Sequence, residues 1–117
     1  ASLVREFTSE SGIRVTLETR GSCALTLPVE AELYRIAEQA LANVRQHARA
    51  KSVKIALTCT ARNASLTIED DGVGFDVRRV PAGRHGIEGM RERARIAGGT
   101  LRITSRRGKG TRIVVKR

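Results

Sequence analysis

Aromatic residues are almost missing from this 117-residue chain, which has no tryptophan, one tyrosine and two phenylalanines. Phe7, Tyr34 and Phe75 stand far apart, so the bases of a nucleic acid would find almost nothing to stack on. Cysteine is equally scarce. Cys23 and Cys59 lack C-x-x-C spacing and neighbouring histidines, so neither a zinc centre nor a disulfide framework is indicated. Two free thiols in a cytoplasmic setting are the expectation. No apolar run approaches the roughly 20 residues that cross a bilayer, and no secretory signal opens the chain. The first residue is Ala and the only methionine is Met90, so the chain is expected to be excised from a longer protein. Any membrane anchor is then expected upstream. Linkers, repeats and low-complexity segments are also missing, which leaves one domain over residues 13–117 behind a tail at 1–12. Leu3, Val4 and Phe7 in that tail read as the end of an upstream helix.

Acidic residues are the minority, 12 against 22 Lys and Arg, for a formal charge of +10. A basic balance of this kind needs a phosphate-bearing or acidic partner, and a nucleic-acid binder is one class it admits.

Ile13 to Glu18 alternates polar and apolar and predicts a strand bounded by Gly12 and Gly21. Pro28, tolerated in a first helical turn, opens a segment to about Ala50 with apolar residues at Leu33, Ile36, Ala37, Ala40, Leu41, Val44 and Ala48. That spacing predicts an amphipathic helix. Val53 to Thr58 and Ala64 to Ile68 alternate on either side of Arg62-Asn63, as an antiparallel hairpin does. From Gly86 a second helix is predicted to about Ala97, with Ile87, Met90, Ala94 and Ala97 on one face and Gly98-Gly99 as its stop. Leu101 to Thr104 and Arg112 to Val115 predict a second hairpin. This order favours a two-layer α/β sandwich, a mixed sheet with helices on one face and a polar open face.

The chemistry-bearing residues fall into four groups. At 100° per residue, Gln39, Asn43 and His47 share a stripe of the first helix within roughly 40° on either side of Asn43. Glu38 is rotated roughly 140° from Asn43, toward Arg45. Asp70-Asp71-Gly72-Val73-Gly74-Phe75 follows a strand, and its glycines permit a turn built against a ligand. Gly83-Arg84-His85-Gly86-Ile87-Glu88-Gly89-Met90 leads into a helix whose unpaired N–H groups suit a phosphate. Ser105-Arg106-Arg107-Gly108-Lys109-Gly110-Thr111 joins the last two strands.

Asn43, Asp70-x-Gly72-x-Gly74, Gly83-x-x-Gly86-x-x-Gly89 and Gly108-x-Gly110-Thr111 occur in the order of the N, G1, G2 and G3 boxes of the gyrase and histidine-kinase ATPase superfamily, which residues 13–116 resemble. Within that span, "LYRIAEQALANVRQHARA" and "HGIEGMRERARIAGGTLRITSRRGKGTRIVV" are similar to the catalytic and ATP-binding domain of the nitrate-sensor and DesK-like class of two-component sensor histidine kinases. The resemblance implies the Bergerat form of the sandwich, with ATP and Mg²⁺ as ligands. It implies that Asp70 accepts a hydrogen bond from the adenine amine, supported by Thr111 and a water, and that Asn43 is the metal ligand between Gln39 and His47. Gly72 and Gly74 would let the backbone approach the nucleotide. Gly86, Ile87, Gly89 and Met90 would take the phosphates on a helix terminus, with Arg84, His85, Lys109 and Gly110 adding contacts. Asp76 to His85 is the expected ATP lid, and Asp71 is expected to be incidental.

The implied function is transfer of the γ-phosphoryl group to a histidine on an upstream dimerisation domain, from which a response regulator takes it. That acceptor is neither His47 nor His85, so the isolated domain is expected to bind ATP as a monomer without phosphorylating itself, within a full-length homodimer. Two departures stand out. Relatives often carry Glu four residues before the asparagine, where this chain has Gln39, which cannot accept a proton as a base. They also often place Lys or Arg three residues after it, where Gln46 stands. The first departure motivates a rival reading, an ATP-binding pseudokinase or sensor with weakened catalysis. A related serine kinase is a third reading, and the lid sequence "HGIEGMRER" disfavours it.

Overall fold

The structure is a computed structural model that describes residues 2–79 and 84–117. Helix α1 (Ser2–Ser11) precedes strand β1 (Arg14–Arg20), and helix α2 (Leu27–Asn43) continues into a π-helical turn at Val44–Ala48. Strands β2 (Ser52–Cys59) and β3 (Ala64–Asp70) form the first hairpin. Helix α3 (Ile87–Ile96) follows, and β4 (Thr100–Ser105) and β5 (Thr111–Lys116) form the second hairpin. The five strands order as β1-β2-β3-β5-β4, with β1 and β2 parallel and the remaining neighbours antiparallel. This is the expected mixed sheet.

Alternation decides which face is covered. Val53, Ile55, Leu66, Ile68, Ile113, Val115 and Leu101 point into one layer of apolar side chains shared with α2 and α3. Against them lie Leu33, Ile36, Ala40, Leu41 and Val44 from the first helical segment and Met90, Ala94 and Ala97 from the second, the stripes the spacing predicts. Phe7 of α1 is buried in the same core. Burying an Ile, Leu or Met side chain contributes roughly 1.5–3 kcal/mol, so this shared layer holds the helices to the sheet. Arg93 of α3 adds an ion pair to Glu32 of α2 at 3.3 Å.

Two expectations are corrected here. The first helical segment does not run as a regular α-helix to Ala50: its last turn is π-helical and ends at Arg49 with φ +50°. The cysteines are not free thiols. Cys23 and Cys59 form a disulfide, with Cα atoms 5.1 Å apart across 36 residues of sequence. Their separation in sequence hid the pairing, because the parallel β1–β2 crossover through α2 is what brings the loop after β1 beside the end of β2.

The bond sits at the end of the β2–β3 hairpin marked by the pair Cys59–Ala64, whereas Asp70 pairs with Val53 at the other end. Val53 lies six residue steps along the strand from Cys59, about 20 Å. Reduction, or Cys59→Ser, is therefore expected to lower unfolding stability by about 2–4 kcal/mol through loss of loop closure, and to leave ligand affinity at Asp70 within twofold. Urea unfolding with and without reductant, alongside a binding titration, checks both halves.

Candidate functional site

The site is built on the end of the central strand. Ile68 and Asp70 project from the helix-covered face of β3, opposite Ile113 and Thr111 of β5. Between these strands and the end of α2 lies a cleft of about 180 Å³. Its walls are apolar, from Ile68, Ile87, Met90, Ile103 and Ile113, and its polar members are Asn43, His47, Asp70, His85 and Thr111.

Asp70 is the buried acid among the described residues, 9% exposed. Its Oδ1 accepts the Gly72 N–H at 2.8 Å. Burial pushes the Asp70 carboxyl above the ordinary aspartate range, the neighbouring Asp71 and Glu69 charges push the same way, and backbone N–H groups of Gly72 and Thr111 oppose them. Asp71, one residue on, has the opposite fate. It lies outside the cleft and accepts the backbone N–H groups of Lys51 and Ser52 at 2.8 and 3.0 Å and the Ser52 hydroxyl at 2.9 Å. Those Ser52 and Lys51 bonds hold its carboxyl below the usual range. Asp71 is thus no bystander: it clamps the turn to the start of β2.

The glycines serve backbone packing between turns. A Cβ on Gly110, at φ +76°, would lie 2.2 Å from the Asp70 carbonyl oxygen, and one on Gly74, at φ +66°, 2.0 Å from that of Arg106. Side chains there would force the β4–β5 turn off the end of β3. Ser105 knits the same junction: its hydroxyl accepts the Phe75 N–H at 2.9 Å and lies 2.8 Å from the Thr111 hydroxyl. Sequence reading passed over Ser105, although a hydroxyl ending the inward row Leu101, Ile103, Ser105 was a usable signal.

Asn43 is the last residue of α2. Its Oδ1 accepts from Gln39 Nε2 at 3.1 Å, and its Nδ2 donates to the His85 carbonyl at 2.6 Å. His47, in the π-helical turn, lies with its ring 4.4 Å from that of His85, which stacks on Phe75 at 4.8 Å. His85 takes φ +63°, a strained value for a residue with a Cβ, at the entry to α3. Asn43, His47, Asp70, Gly74, His85, Ile87, Met90 and Thr111 therefore converge on one cleft.

The other predicted residues lie around it. Gln39 faces a separate outer groove with Arg35, Glu38, Arg45 and Gly89, and packs on Gly86, where an added Cβ would lie 2.5 Å from Gln39 Cδ. In that groove Glu38 pairs with Arg35 at 3.2 Å, and Arg45 pairs with Glu10, also at 3.2 Å, rather than with Glu38. Gly72 is buried in the turn, and Lys109 is exposed on the β4–β5 turn. Of the expected lid, Val80 to Gly83 and the Arg84 side chain lie outside the described residues; Val77–Arg79 forms a short 3₁₀ turn.

Comparison with known proteins matches residues 28–117 to the family described as histidine kinase-, DNA gyrase B-, and HSP90-like ATPase. Sensor histidine kinase LiaS of Bacillus subtilis is 35% identical over 97% of this chain and 31% of its own length. Oxygen sensor histidine kinase NreB of Staphylococcus carnosus is 31% identical over 98% of the chain and 34% of its own. Nitrate/nitrite sensor protein NarQ of Escherichia coli is 30% identical over 92% and 19%. The chain thus spans about a third or less of these relatives. Among solved structures, the blue-light activated histidine kinase of Erythrobacter litoralis shares the fold with a TM-score of 0.77 at 19% identity, over 98% of this chain and 39% of that one. A cleft floored by Asp70, a glycine-built turn beside it and Asn43 at its rim lie inside the matched span, and the chain belongs to the histidine kinase-, DNA gyrase B-, and HSP90-like ATPase family.

Proposed function

We propose that this chain is the catalytic and ATP-binding domain of a two-component sensor histidine kinase, which transfers the γ-phosphoryl group of ATP to a histidine on an upstream dimerisation domain for hand-over to a response regulator. The observation that carries the reading is Asp70: a buried carboxylate on the floor of an apolar cleft, with the Thr111 hydroxyl beside it. A carboxylate only accepts hydrogen bonds, so it selects a flat base that offers an amine, as adenine does.

The residues beside the cleft fit Mg²⁺. An amide oxygen has two acceptor positions, and Gln39 takes one of those on Asn43. The other would serve as one oxygen ligand of the ion. When bound, the ion would neutralise phosphate charge. The Asn43 bond to the His85 carbonyl ties the rim to the entry of α3, and the phosphates of an entering nucleotide would compete for that position. Gly86 and the first turn of α3, with Arg84, His85 and Lys109, are the proposed phosphate contacts. The chemistry itself asks mainly for positioning and charge neutralisation.

α1 is read as the end of the upstream dimerisation helix, on the support of Phe7 packing into the core. The compartment proposed is the cytoplasm, where the Cys23–Cys59 bond would face reduction. The pseudokinase reading keeps one observation in its favour: the side chain four residues before Asn43 is an amide that donates to it rather than a base.

Asp70→Asn places a donor where the adenine amine donates, and ATP affinity is expected to fall by at least about 30-fold, roughly 2 kcal/mol; unchanged affinity by calorimetry refutes the pocket. The same variant is expected to unfold at an equal or higher temperature. Burial raises the Asp70 pKa in the folded state, so the native protein has its full advantage below the ordinary aspartate value and loses it as pH rises through the raised one. The gap in Tm between variant and native is therefore expected to widen from about pH 4 to pH 7. Gln39→Glu supplies a base, and phosphate release uncoupled from transfer is expected to rise by on the order of tenfold or more. Joined to its upstream helices and given γ-labelled ATP, the domain is expected to yield an acid-labile label on histidine. Bound Mg-ATP without label sinks the kinase reading in favour of the pseudokinase.

A further inference from the structure

The sheet face turned away from the helices carries a charge imbalance that the nucleotide cleft does not use. On its β1–β2 side the single carboxylate Glu18 is shared by Arg20 at 3.3 Å and Lys54 at 3.7 Å. The β5–β4 side also carries more cations than carboxylates. Arg112 reaches Glu69 at 3.2 Å, whereas Arg102 and Lys116 have no carboxylate partner among the described residues. Arg102 stands directly opposite Val114, so Arg112 and Lys116 are its two diagonal neighbours across the β4–β5 pair. Diagonal neighbours lie about 7–8 Å apart, close enough for three like charges on one face to repel. With the Ser65 and Thr67 hydroxyls, these cations line a groove of about 230 Å³ floored by Val114.

We infer that this groove docks an acidic polypeptide segment, with Asp or Glu carboxylates on Arg102, Arg112 and Lys116. A guanidinium fork meets a carboxylate with two parallel hydrogen bonds, and rigid strands fix where each fork stands. Val114 receives the methylenes of the incoming side chain, and the hydroxyls of Ser65 and Thr67 bond its remaining oxygens. A lipid surface fits less well, because the large apolar side chains that are exposed, Leu17, Leu27, Tyr34, Val73 and Ile96, belong to the helices, the turns or the inward row of β1. A nucleic acid fits less well too, because no aromatic ring stands on this face for its bases. The groove is independent of the nucleotide reading: Arg112 and Val114 point away from the side to which Thr111 and Ile113 point.

The test is binding of a labelled oligoglutamate peptide to the folded chain, compared with phosphatidylserine-containing vesicles and a single-stranded oligonucleotide. Arg102→Ser with Lys116→Ser is expected to weaken the peptide by about tenfold and to flatten its salt dependence. Arg5→Ser with Arg62→Ser removes the same charge from α1 and the β2–β3 turn, and is expected to change affinity by less than twofold. Thermal melts establish that both double variants fold. Equal weakening by both pairs reduces the effect to net charge and overturns the proposal. It is equally overturned by wild-type protein that ignores the peptide, or by loss on Arg102→Ser with Lys116→Ser that is seen for vesicles or oligonucleotide but not for peptide.

Discussion

Holding one carboxylate out of water at the end of the central strand is the constraint around which the cleft end of this fold is arranged. Asp70 ends β3, and burial works against its charge. An ionised group in that position must be met by donors, and the nearest are backbone N–H groups of the turn that follows and of the facing strand. For those to reach it, the turn must fold back tightly and the β4–β5 connection must press on the strand end. That contact is so close that Gly110 meets the Asp70 carbonyl with no room for a Cβ, and Gly74 meets Arg106 in the same way. Asp71 completes the arrangement from outside by tying the turn to Lys51 and Ser52. Two adjacent acids thus divide the work, one held at a cost inside the cleft and the other anchoring the turn.

The opposite wall depends on a local failure of helical regularity. α2 gives way to a π-helical turn directly after Asn43, and such turns recur at functional sites because they re-aim side chains without ending the helix. Here the turn carries His47 to the ring of His85, while Asn43 spans the gap between Gln39 behind it and the His85 carbonyl in front. The strained φ of His85 is held from three sides, by the Asn43 bond, the His47 contact and the Phe75 stack.

What could be read from the residues, and what could not, follows from the range of the interaction involved. Alternation in β2 to β5 and the 3.6-residue stripes of α2 and α3 are local signals, and they placed both hairpins, both helices and the covered face. Of the glycines in the ordered motifs, Gly74, Gly86 and Gly110 stand where two segments touch, whereas Gly89 and Gly108 have open space beside them. Interactions across the chain were silent. Cys23 and Cys59 meet only because a parallel crossover brings them together, and Asp71 finds Ser52 only because β2 and β3 pair in one register. The π-helical turn left no mark in composition, and the outer groove that Gln39 lines was not legible either; Gln39 meets the residues of the cleft through its bond to Asn43 and its packing on Gly86.

Charge then sets the direction in which a nucleotide would enter. The chain carries +10, and Arg78, Arg106 and Arg107 line a groove next to the turn that holds Gly74. A field of that sign draws a polyphosphate toward the molecule. The floor of the cleft has the opposite sign, because Asp70, the buried acid among the described residues, sits there behind apolar walls. On the proposed reading, phosphates would be repelled from that floor and the uncharged base admitted to it, with the phosphates left at the Asn43 rim for transfer to an external acceptor. The same sheet keeps Arg102 and Lys116, which have no carboxylate partner among the described residues, on the far face, away from Asp70.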